Sequence, residues 1–149
     1  LLHFDNGARG VLHCSQIAIG EENGLAIWVY GSDAGLEWHQ EHPNQLQFKP
    51  LGGPVQVWSR GNDYIGKKSP AAARATRLPF GHPEAFLEAF ANHYVNFADT
   101  ILARELRKKP DPLALDFPQV EDGLRGMAFI ETVVKSANSK TKWINFPKL

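Results

Sequence analysis

The chain has 149 residues, of which 43% are hydrophobic and 11% aromatic, with 16 basic and 16 acidic side chains. This length and apolar content suit one folded domain and exclude a disordered chain. The balanced charge argues against nucleic-acid binding, because no net positive field would collect phosphates. A lone cysteine, Cys14, excludes an internal disulfide and fits a reducing, cytoplasmic location. No apolar run reaches the roughly 18–20 residues that span a bilayer, and no signal peptide opens the chain, so we expect no membrane partner.

The first part of the chain predicts about six short antiparallel strands. Runs rich in Val, Ile, Trp and Tyr, bounded by Gly, Asn and Asp, are typical of strands joined by tight turns, and links this short leave no room for parallel crossovers. The chain opens without methionine in what resembles the middle of a strand, so we expect a piece of a longer polypeptide; the alternative is a processed N-terminus. The predicted strands are Leu1–Asp5, Val11–Ala18, Leu25–Tyr30, Leu36–Gln40, Gln45–Lys49 and Pro54–Ser59, and the tail Lys142–Phe146 favours one more.

The second part changes to a helical period. Over Pro83–Arg107 the apolar residues recur every four or seven positions, which is typical of an amphipathic helix that starts at its proline, with Glu84 at the positive end of the helix dipole. A second helix is predicted over Val120–Ala137. The segment Arg60–Gly81 has no periodicity beyond a short helical turn at Ala71–Ala73. Because strands come first and helices last, we predict an α+β fold, with two long helices on one face of an open, mainly antiparallel sheet.

The strand Leu25–Tyr30 decides the expected assembly. Its two alternating sets of side chains are both apolar, so the strand needs cover on both faces. Two helices can cover one face of the sheet, and the other would leave an exposed apolar patch, which usually marks an interface. We therefore expect a homo-oligomer through the open sheet face, sheet against sheet about a two-fold axis. The alternative is a curled sheet that buries both sides itself.

The sequence holds no familiar catalytic constellation. A G-x-G-x-x-G motif, a P-loop, a nucleophile elbow and C-x-x-C are all absent. His13 and Cys14 are neighbours on a predicted strand and so face apart, which excludes a thiol–imidazole pair. His39 and His42 would likewise point to opposite faces, so we predict no metal-binding residues.

Two polar places rise above this background. The loop Gly20–Gly24 carries Glu21 and Asn23 at the end of a predicted hairpin, and functional groups are often carried on loops held by a rigid sheet. Its alternative is a loop that is polar because it is solvated. The second place is His82, at the mouth of the long helix, where free N–H groups suit polyol hydroxyls or anions. Its alternative is a simple helix cap.

Four stretches of the chain, which follow one another in the same order as in a known family, carry a resemblance that runs from Gly7 to about Trp143. By them the chain resembles the C-terminal domain of the Gfo/Idh/MocA oxidoreductases (glucose–fructose oxidoreductase, inositol dehydrogenase and rhizopine catabolism). The resemblance implies an NAD(P)-dependent dehydrogenase of sugars, inositols or related polyols. In this family a Rossmann domain is followed by an α+β domain that shapes the substrate site and mediates oligomers. The stretches are S-Q-I-A-I-G-E-E-N-G-L (Ser15–Leu25), V-Y-G-S-D-A-G-L-E-W (Val29–Trp38), G-H-P-E-A-F-L-E-A-F-A-N (Gly81–Asn92) and V-E-D-G-L-R-G-M-A-F-I-E (Val120–Glu131).

The resemblance also implies that the catalytic residues lie outside this chain. The family's lysine sits in a K-P dipeptide of the Rossmann domain, and its D-x-x-x-H pair precedes the sheet. Here Lys49-Pro50 lies in a strand-rich region, and no Asp has a His four residues later. Residues 1–149 would be the C-terminal domain alone, and NAD or NADP would be bound by an N-terminal Rossmann domain absent from this chain. The resemblance carries over three substrate-binding residues, Glu21, Asn23 and His82, and no catalytic or cofactor-binding residue.

We expect the full-length protein to move a hydride between a nicotinamide and a carbon bearing a hydroxyl, and this chain alone to be inactive. One alternative is a non-enzymatic assembly or binding module that shares the sheet, and another is a relative that has lost catalysis. The coding sequence upstream of Leu1 discriminates among them. A G-x-G-x-x-G after a strand favours an enzyme, a nearby start codon favours the module, and a missing K-P or D-x-x-x-H indicates lost catalysis.

Overall fold

The computed structural model describes residues 1–141 and 143–149. The chain divides into two compact units, Leu1–Ser59 and Arg60–Leu149, and each is described by itself. Within the described residues, the strands lie in the first unit and the helices in the second. The predicted α+β class is therefore confirmed, and the packing of the helices on one face of the sheet stays a prediction.

The first unit is an open antiparallel sheet of four strands accompanied by a two-stranded ribbon. Each strand of the sheet pairs with the next along the chain, in the order β3-β4-β5-β6, as short connections require. The predicted open antiparallel sheet is confirmed, but it has four strands instead of about six, and the remaining two described strands form a separate ribbon. The ribbon consists of β1 (Leu2–His3) and β2 (Arg9–Gly10), and the sheet of β3 (Ala26–Tyr30), β4 (Ala34–His39), β5 (Gln45–Pro50) and β6 (Gln56–Ser59).

The two faces of the four-stranded sheet differ in polarity. Directly opposite residues share a face, so the register Val29↔Leu36↔Phe48 and Ile27↔Trp38↔Leu46 makes one face apolar. On the other face, Trp28 lies opposite Glu37, and Glu37 opposite Gln47. The expectation of apolar residues on both faces therefore holds for β3. It is wrong for the centre of the face that carries Trp28, because β4 and β5 place charged and amide side chains there. The residues of that polar centre are Glu37, His39, Gln45, Gln47 and Lys49.

The strand predicted over residues 11–18 is not formed. A strand needs a hydrogen-bonded neighbour, whereas here local bonds use the backbone instead: Ile17 N donates to the Ser15 hydroxyl at 3.2 Å, and Glu21 N to Ala18 O at 3.1 Å. Such local bonds offer the chain an alternative to a strand ladder. The last predicted strand is also wrong over residues 143–146, which form no strand, and Lys142 lies outside the described residues.

The second unit contains two long helices preceded by two short ones. The helix over Val120–Ala137 (α4) has the predicted bounds, and the other long helix (α3) is Phe86–Glu105. The short helices are α1 (Asp63–Lys68) and α2 (Pro70–Ala75), and a 3₁₀ turn at Pro112–Leu115 links α3 to α4. Among the described residues, no helix combines the length and the apolar character needed to cross a bilayer.

The two short helices lie in the segment predicted to lack periodicity. Each has six residues, which is too short for a hydrophobic repeat to show. The signal that the sequence did carry is a serine followed by proline, the preferred pair for an N-cap and first helical position. Ser69 ends α1 by donating its N–H to Ile65 O at 2.8 Å, and its hydroxyl caps α2 by accepting from Ala72 N at 3.2 Å. The helical turn predicted at residues 71–73 is confirmed inside α2.

The 3₁₀ turn is held against α3, with a small side chain at the contact. The Thr100 hydroxyl of α3 lies 3.4 Å from Ala114 O, and the rings of Phe97 and Phe117 meet edge to face at 5.6 Å. Ala114 is fully buried, with 0% of its surface exposed. The turn therefore packs at a point that has no room for a larger residue.

Replacement of Ala114 by leucine should destabilise the helical unit. Three extra carbons in a filled site force neighbouring side chains or backbone to move, and we expect the free energy of unfolding to fall by roughly 1–3 kcal/mol. The measurement is urea denaturation followed by circular dichroism. Ala98→Leu is the matched control, because Ala98 is an exposed residue of α3 and should change stability by about 0.5 kcal/mol or less. Equal effects of the two variants would contradict the packing described above.

Candidate functional site

The long helix α3 begins three residues later than the sequence predicted. Its first residue is Phe86, with Ala85 as the N-cap, and Pro83 lies outside it. The reason is Glu84, which turns inward and is only 7% exposed instead of sitting in the first turn of the helix. The acidic residue of the first turn is Glu88, whose carboxylate accepts from Ala85 N at 2.9 Å. This bond, followed by that of its own backbone N–H, lowers the pKa of Glu88.

Glu84 and Arg60 form an ion pair on the inner side of the loop of residues 77–84, in which the carboxylate is buried and the guanidinium is largely so. The Arg60 Nη1 lies 3.0 Å from the Glu84 Oε1 and 2.8 Å from Leu78 O, and Nη2 donates to His82 O. The same Glu84 oxygen accepts from Arg77 N at 2.7 Å and from Leu78 N. The charges of this pair are thus matched by each other and by backbone groups, which a buried ion pair requires.

Gly61 lets the chain lie directly against this loop. Its φ is +81°, and a Cβ at this position would be 2.9 Å from Phe80 N and 3.1 Å from Phe80 Cα. Only glycine combines that backbone conformation with so close an approach. The backbone of Gly61 therefore lies directly against the backbone of Pro79 and Phe80.

His82 lies exposed at the tip of this loop. Its backbone N–H donates to Pro79 O at 3.2 Å, across Gly81 with φ +80°, and its Nδ1 is 3.3 Å from Phe80 O. Because a carbonyl oxygen only accepts, this bond assigns the proton to Nδ1 and leaves Nε2 for an external partner. His82 therefore presents one ring nitrogen to solvent, as a hydrogen-bonding residue for a ligand would.

The other predicted site residues lie in the loop of residues 20–24, in the sheet unit. Glu21 and Asn23 are both exposed. Asn23 N lies 3.4 Å from the Glu41 Oε1, and Asn23 O accepts from Leu25 N at 2.8 Å. The Glu21 carboxylate folds over Gly24, where an added Cβ would be 2.6 Å from its Oε2. The structure thus brings Glu21 and Asn23 together within one loop, and their binding role stays a prediction.

A polar cluster lies at the centre of the sheet face that carries Trp28, Glu37 and Gln47. We call this the mixed face, because it has both apolar and charged side chains. The Glu37 carboxylate contacts His39 Nε2 at 2.7 Å and also accepts from the Lys49 ammonium. The bond from Lys49 and then that from His39 lower the pKa of Glu37 to about 2. The pattern E-x-H on one strand was the available signal, because residues two apart share a face. The cluster borders a concavity of ≈ 90 Å³ lined by Glu37, His39, His42, Gln45, Gln47 and Val57.

The expected separation of His39 and His42 is wrong. Both residues line the same concavity, because β4 ends at His39 and a turn, closed by His42 N donating to His39 O at 3.1 Å, brings His42 round. Within residues 1–141 and 143–149, no three His, Cys, Asp or Glu side chains are grouped so that they could hold a metal ion. The cluster therefore offers an ionic and hydrogen-bonding surface.

The helical unit also has an open cleft beside the start of α4. It has a volume of ≈ 380 Å³. Asp122 lies at its rim and accepts from Gln119 N at 2.9 Å, as the third residue of a helix often does. This carboxylate is therefore engaged in capping the N-terminus of α4. The cleft is lined by His93, Leu115, Asp116, Phe117, Pro118, Gln119 and Asp122.

Comparison with known proteins identifies relatives along almost the whole chain. The family described as "Oxidoreductase family, C-terminal alpha/beta domain" matches residues 1–146. The chain is 35% identical over 146 residues to the uncharacterized oxidoreductase YfiI of Bacillus subtilis (strain 168). The matched region covers 98% of this chain and 36% of that protein. An oxidoreductase from Sinorhizobium meliloti has a solved structure that is 44% identical, with a TM-score of 0.79 over 89% of this chain and 35% of that one.

Two further similar structures were solved as complexes with ligands. Both are of an inositol dehydrogenase homolog from Azotobacter vinelandii, and each is 37% identical over 97% of this chain. The complex with NAD⁺ has a TM-score of 0.84 and that with NADH and myo-inositol 0.83, covering 36% and 37% of the respective chains. The chain thus spans about a third of the length of the relatives it matches.

The Glu37 cluster makes the stability of the sheet unit depend on acid pH. Since the folded pKa of about 2 lies below the ordinary value of 4.5, ionised Glu37 stabilises the fold above about pH 4.5, and this contribution is lost as the pH falls towards 2. We expect Glu37→Gln to flatten the fall in the urea midpoint over this range, and Lys49→Met, which removes the first cause, to flatten it in part. Parallel profiles for the wild type and Glu37→Gln would contradict the assignment.

Proposed function

This chain belongs to the Gfo/Idh/MocA family of oxidoreductases, as its C-terminal α/β domain, and on that premise we propose that it provides the substrate-side walls and an oligomer contact of an NAD(P)-dependent polyol dehydrogenase. The observation that carries the proposal is the 37% identity, over 97% of this chain, to an inositol dehydrogenase homolog whose structure was solved with NADH and myo-inositol. Cyclic or linear polyols are therefore the proposed substrate class.

In this proposal the redox chemistry is divided between two parts of the protein. A Rossmann domain N-terminal to this chain would bind NAD or NADP, and the nicotinamide would take up the hydride from the substrate carbon. The proton of the hydroxyl on that same carbon would be transferred to a group of lysine, aspartate and histidine side chains that lies N-terminal to this chain. This chain would bind and orient the polyol, and it contributes no group to the proton transfer.

The substrate contacts assigned to this chain are those of exposed polar side chains on fixed loops. The Nε2 of His82 would bond a polyol hydroxyl, because its Nδ1 proton is engaged by Phe80 O. Glu21 and Asn23 would supply an acceptor and an amide from one loop of the sheet unit. A polyol carries several hydroxyls that each donate and accept, so fixed donors and acceptors give it orientation as well as affinity.

We further propose that the open sheet takes part in a homo-oligomer. Its support is the apolar face together with the exposed edge strand β3, in which Ile27 is 56% and Val29 51% exposed. Exposed apolar surface of this kind usually marks an interface. The mixed face, with Trp28 near a charged centre, is the second candidate surface, and it would pair by charge and hydrogen bonds as well as by apolar contact.

The division of labour is tested by comparing the full-length protein with this chain. We expect the full-length protein to reduce NAD⁺ or NADP⁺ in the presence of polyols, with myo-inositol as the first substrate to assay. The chain of residues 1–149 should show no turnover and no saturable calorimetric signal with NAD⁺ or NADH, because the nucleotide would be held elsewhere. Tight nucleotide binding by the chain alone would contradict the proposal, as would a full-length protein without dehydrogenase activity on any polyol.

The assembly is tested by placing a charge on each face of the sheet. In the full-length protein, Val29→Glu changes the apolar face and Trp28→Glu the mixed face, and a buried unpaired charge costs several kcal/mol. We expect one of them to weaken association by about 100-fold or more, measured by sedimentation velocity. Ser32→Glu is the control, because it adds the same charge to the exposed turn between β3 and β4. An unchanged distribution for all three would exclude assembly through the sheet.

A further inference from the structure

We propose that Arg60 is a positioning residue for substrate binding, acting through Glu84 and the loop of residues 77–84 on the imidazole of His82. The inference rests on the proposed function, since it takes His82 to be a contact of the polyol. Sequence reasoning gave Arg60 no role, because the residue lies outside every motif and 22 positions before His82.

The guanidinium of Arg60 bridges two carbonyls of the loop of residues 77–84, those of Leu78 and His82. Nη1 donates to Leu78 O at 2.8 Å and Nη2 donates to His82 O, so one rigid group fixes the carbonyls at both ends of a five-residue turn. Nη1 also lies 3.0 Å from the Glu84 carboxylate. The planar fork of arginine can hold three acceptors in a fixed arrangement, whereas the point charge of lysine cannot.

Glu84 completes this arrangement from inside the loop. Its Oε1 accepts from the backbone N–H groups of Arg77 and Leu78, the first at 2.7 Å. The side chains of Glu84 and Arg60 are only 6% and 17% exposed. Both charges are therefore largely removed from water, and each holds the other in place as well as the backbone around it.

The close approach at Gly61 is a separate observation of the same fit. A Cβ on Gly61 would lie 2.9 Å from Phe80 N, so the backbone that follows Arg60 is pressed against the backbone that precedes His82. Phe80 also supplies the carbonyl that holds the His82 Nδ1 at 3.3 Å. The segment that begins at Arg60 is thus in contact, through Gly61, with Phe80, whose carbonyl oxygen orients the imidazole of His82.

The consequence is a separation between substrate binding and chemistry. Loss of the fork should free the carbonyls of Leu78 and His82 and let the imidazole turn, which weakens the bond from its Nε2 to a hydroxyl. The hydride and proton transfers are assigned to other parts of the protein and should not change. The expected signature is a raised KM for the polyol with kcat retained.

The test uses Arg60→Lys in the full-length protein, with His82→Ala beside it. Lysine keeps the positive charge next to Glu84 and loses the fork, so the fold should be retained. We expect both variants to raise the KM for myo-inositol by roughly 2- to 13-fold, the value of one hydrogen bond, with kcat within about twofold of the wild type. Arg60→Met should raise KM at least as much and lower the thermal midpoint further than Arg60→Lys does.

The matched control is Arg74→Lys. Arg74 is a second three-acceptor arginine of the same unit, bonded to Asn96 at 3.0 Å, Asp99 at 2.7 Å and Asp111 at 3.4 Å, and none of these bonds involves the loop of residues 77–84. We expect it to lower the thermal midpoint as much as Arg60→Lys does and to leave KM unchanged. Equal increases in KM for the two variants would show a general effect of stability and would overturn the inference.

Nitrogen NMR of histidine-labelled full-length protein keeps this inference separate from the proposed function. The His82 ring signals, identified by their loss in His82→Ala, should show the Nδ1–H tautomer in the wild type and a changed pattern in Arg60→Lys. If His82→Ala leaves KM unchanged, the substrate role of His82 fails, while a changed pattern still supports control of the ring by Arg60. Unchanged His82 signals in Arg60→Lys overturn the inference whatever the kinetics show.

Discussion

In the helical unit, the loop that precedes α3 depends on the ion pair between Arg60 and Glu84, whose carboxylate is buried and whose guanidinium is largely so. A charge taken out of water is tolerated only when its partners are supplied with good geometry, and here the backbone supplies most of them. The carboxylate accepts from Arg77 N and Leu78 N, and the guanidinium donates to Leu78 O and His82 O. The loop that precedes α3 is therefore a structured element, and the late start of the helix is a consequence of Glu84 serving this loop.

In the sheet unit, polar residues of β4 and β5 make one of the two faces of the sheet less apolar than β3 alone suggests. Taken alone, β3 has two apolar faces. Once β4 and β5 are paired with it, one face remains apolar, while the other places Trp28 beside Glu37 and, through Glu37, next to Lys49. A surface of this kind can be solvated or can meet a partner through charges, so the need for cover is strong on one face of the sheet and weak on the other.

The relation to function follows from the family and from the length of the chain. The chain belongs to the C-terminal α/β domain of a family of oxidoreductases, and it spans about a third of its relatives. The proposed substrate-binding residues fall into two groups, Glu21 and Asn23 on a loop of the sheet unit, and His82 on a loop of the helical unit. Both groups are exposed and carry hydrogen-bonding side chains, which is the property that the proposed polyol-binding role requires of them.

The sequence by itself determined the elements whose signals are local. The bounds of α4 follow from its apolar period, β3 to β6 from alternation and turn residues, and the family from the order of four short stretches. Only the tertiary structure decided the rest, because a single segment does not specify its partners. Residues 11–18 have the pattern of a strand but pair with no strand among the described residues. Glu84 sits where an acidic helix start is expected but pairs with Arg60, 24 positions away. His39 and His42 line one concavity only because β4 ends at His39 and a turn follows it. Long-range pairing of charges and strands is decided by which surfaces meet in space, and no local period records it.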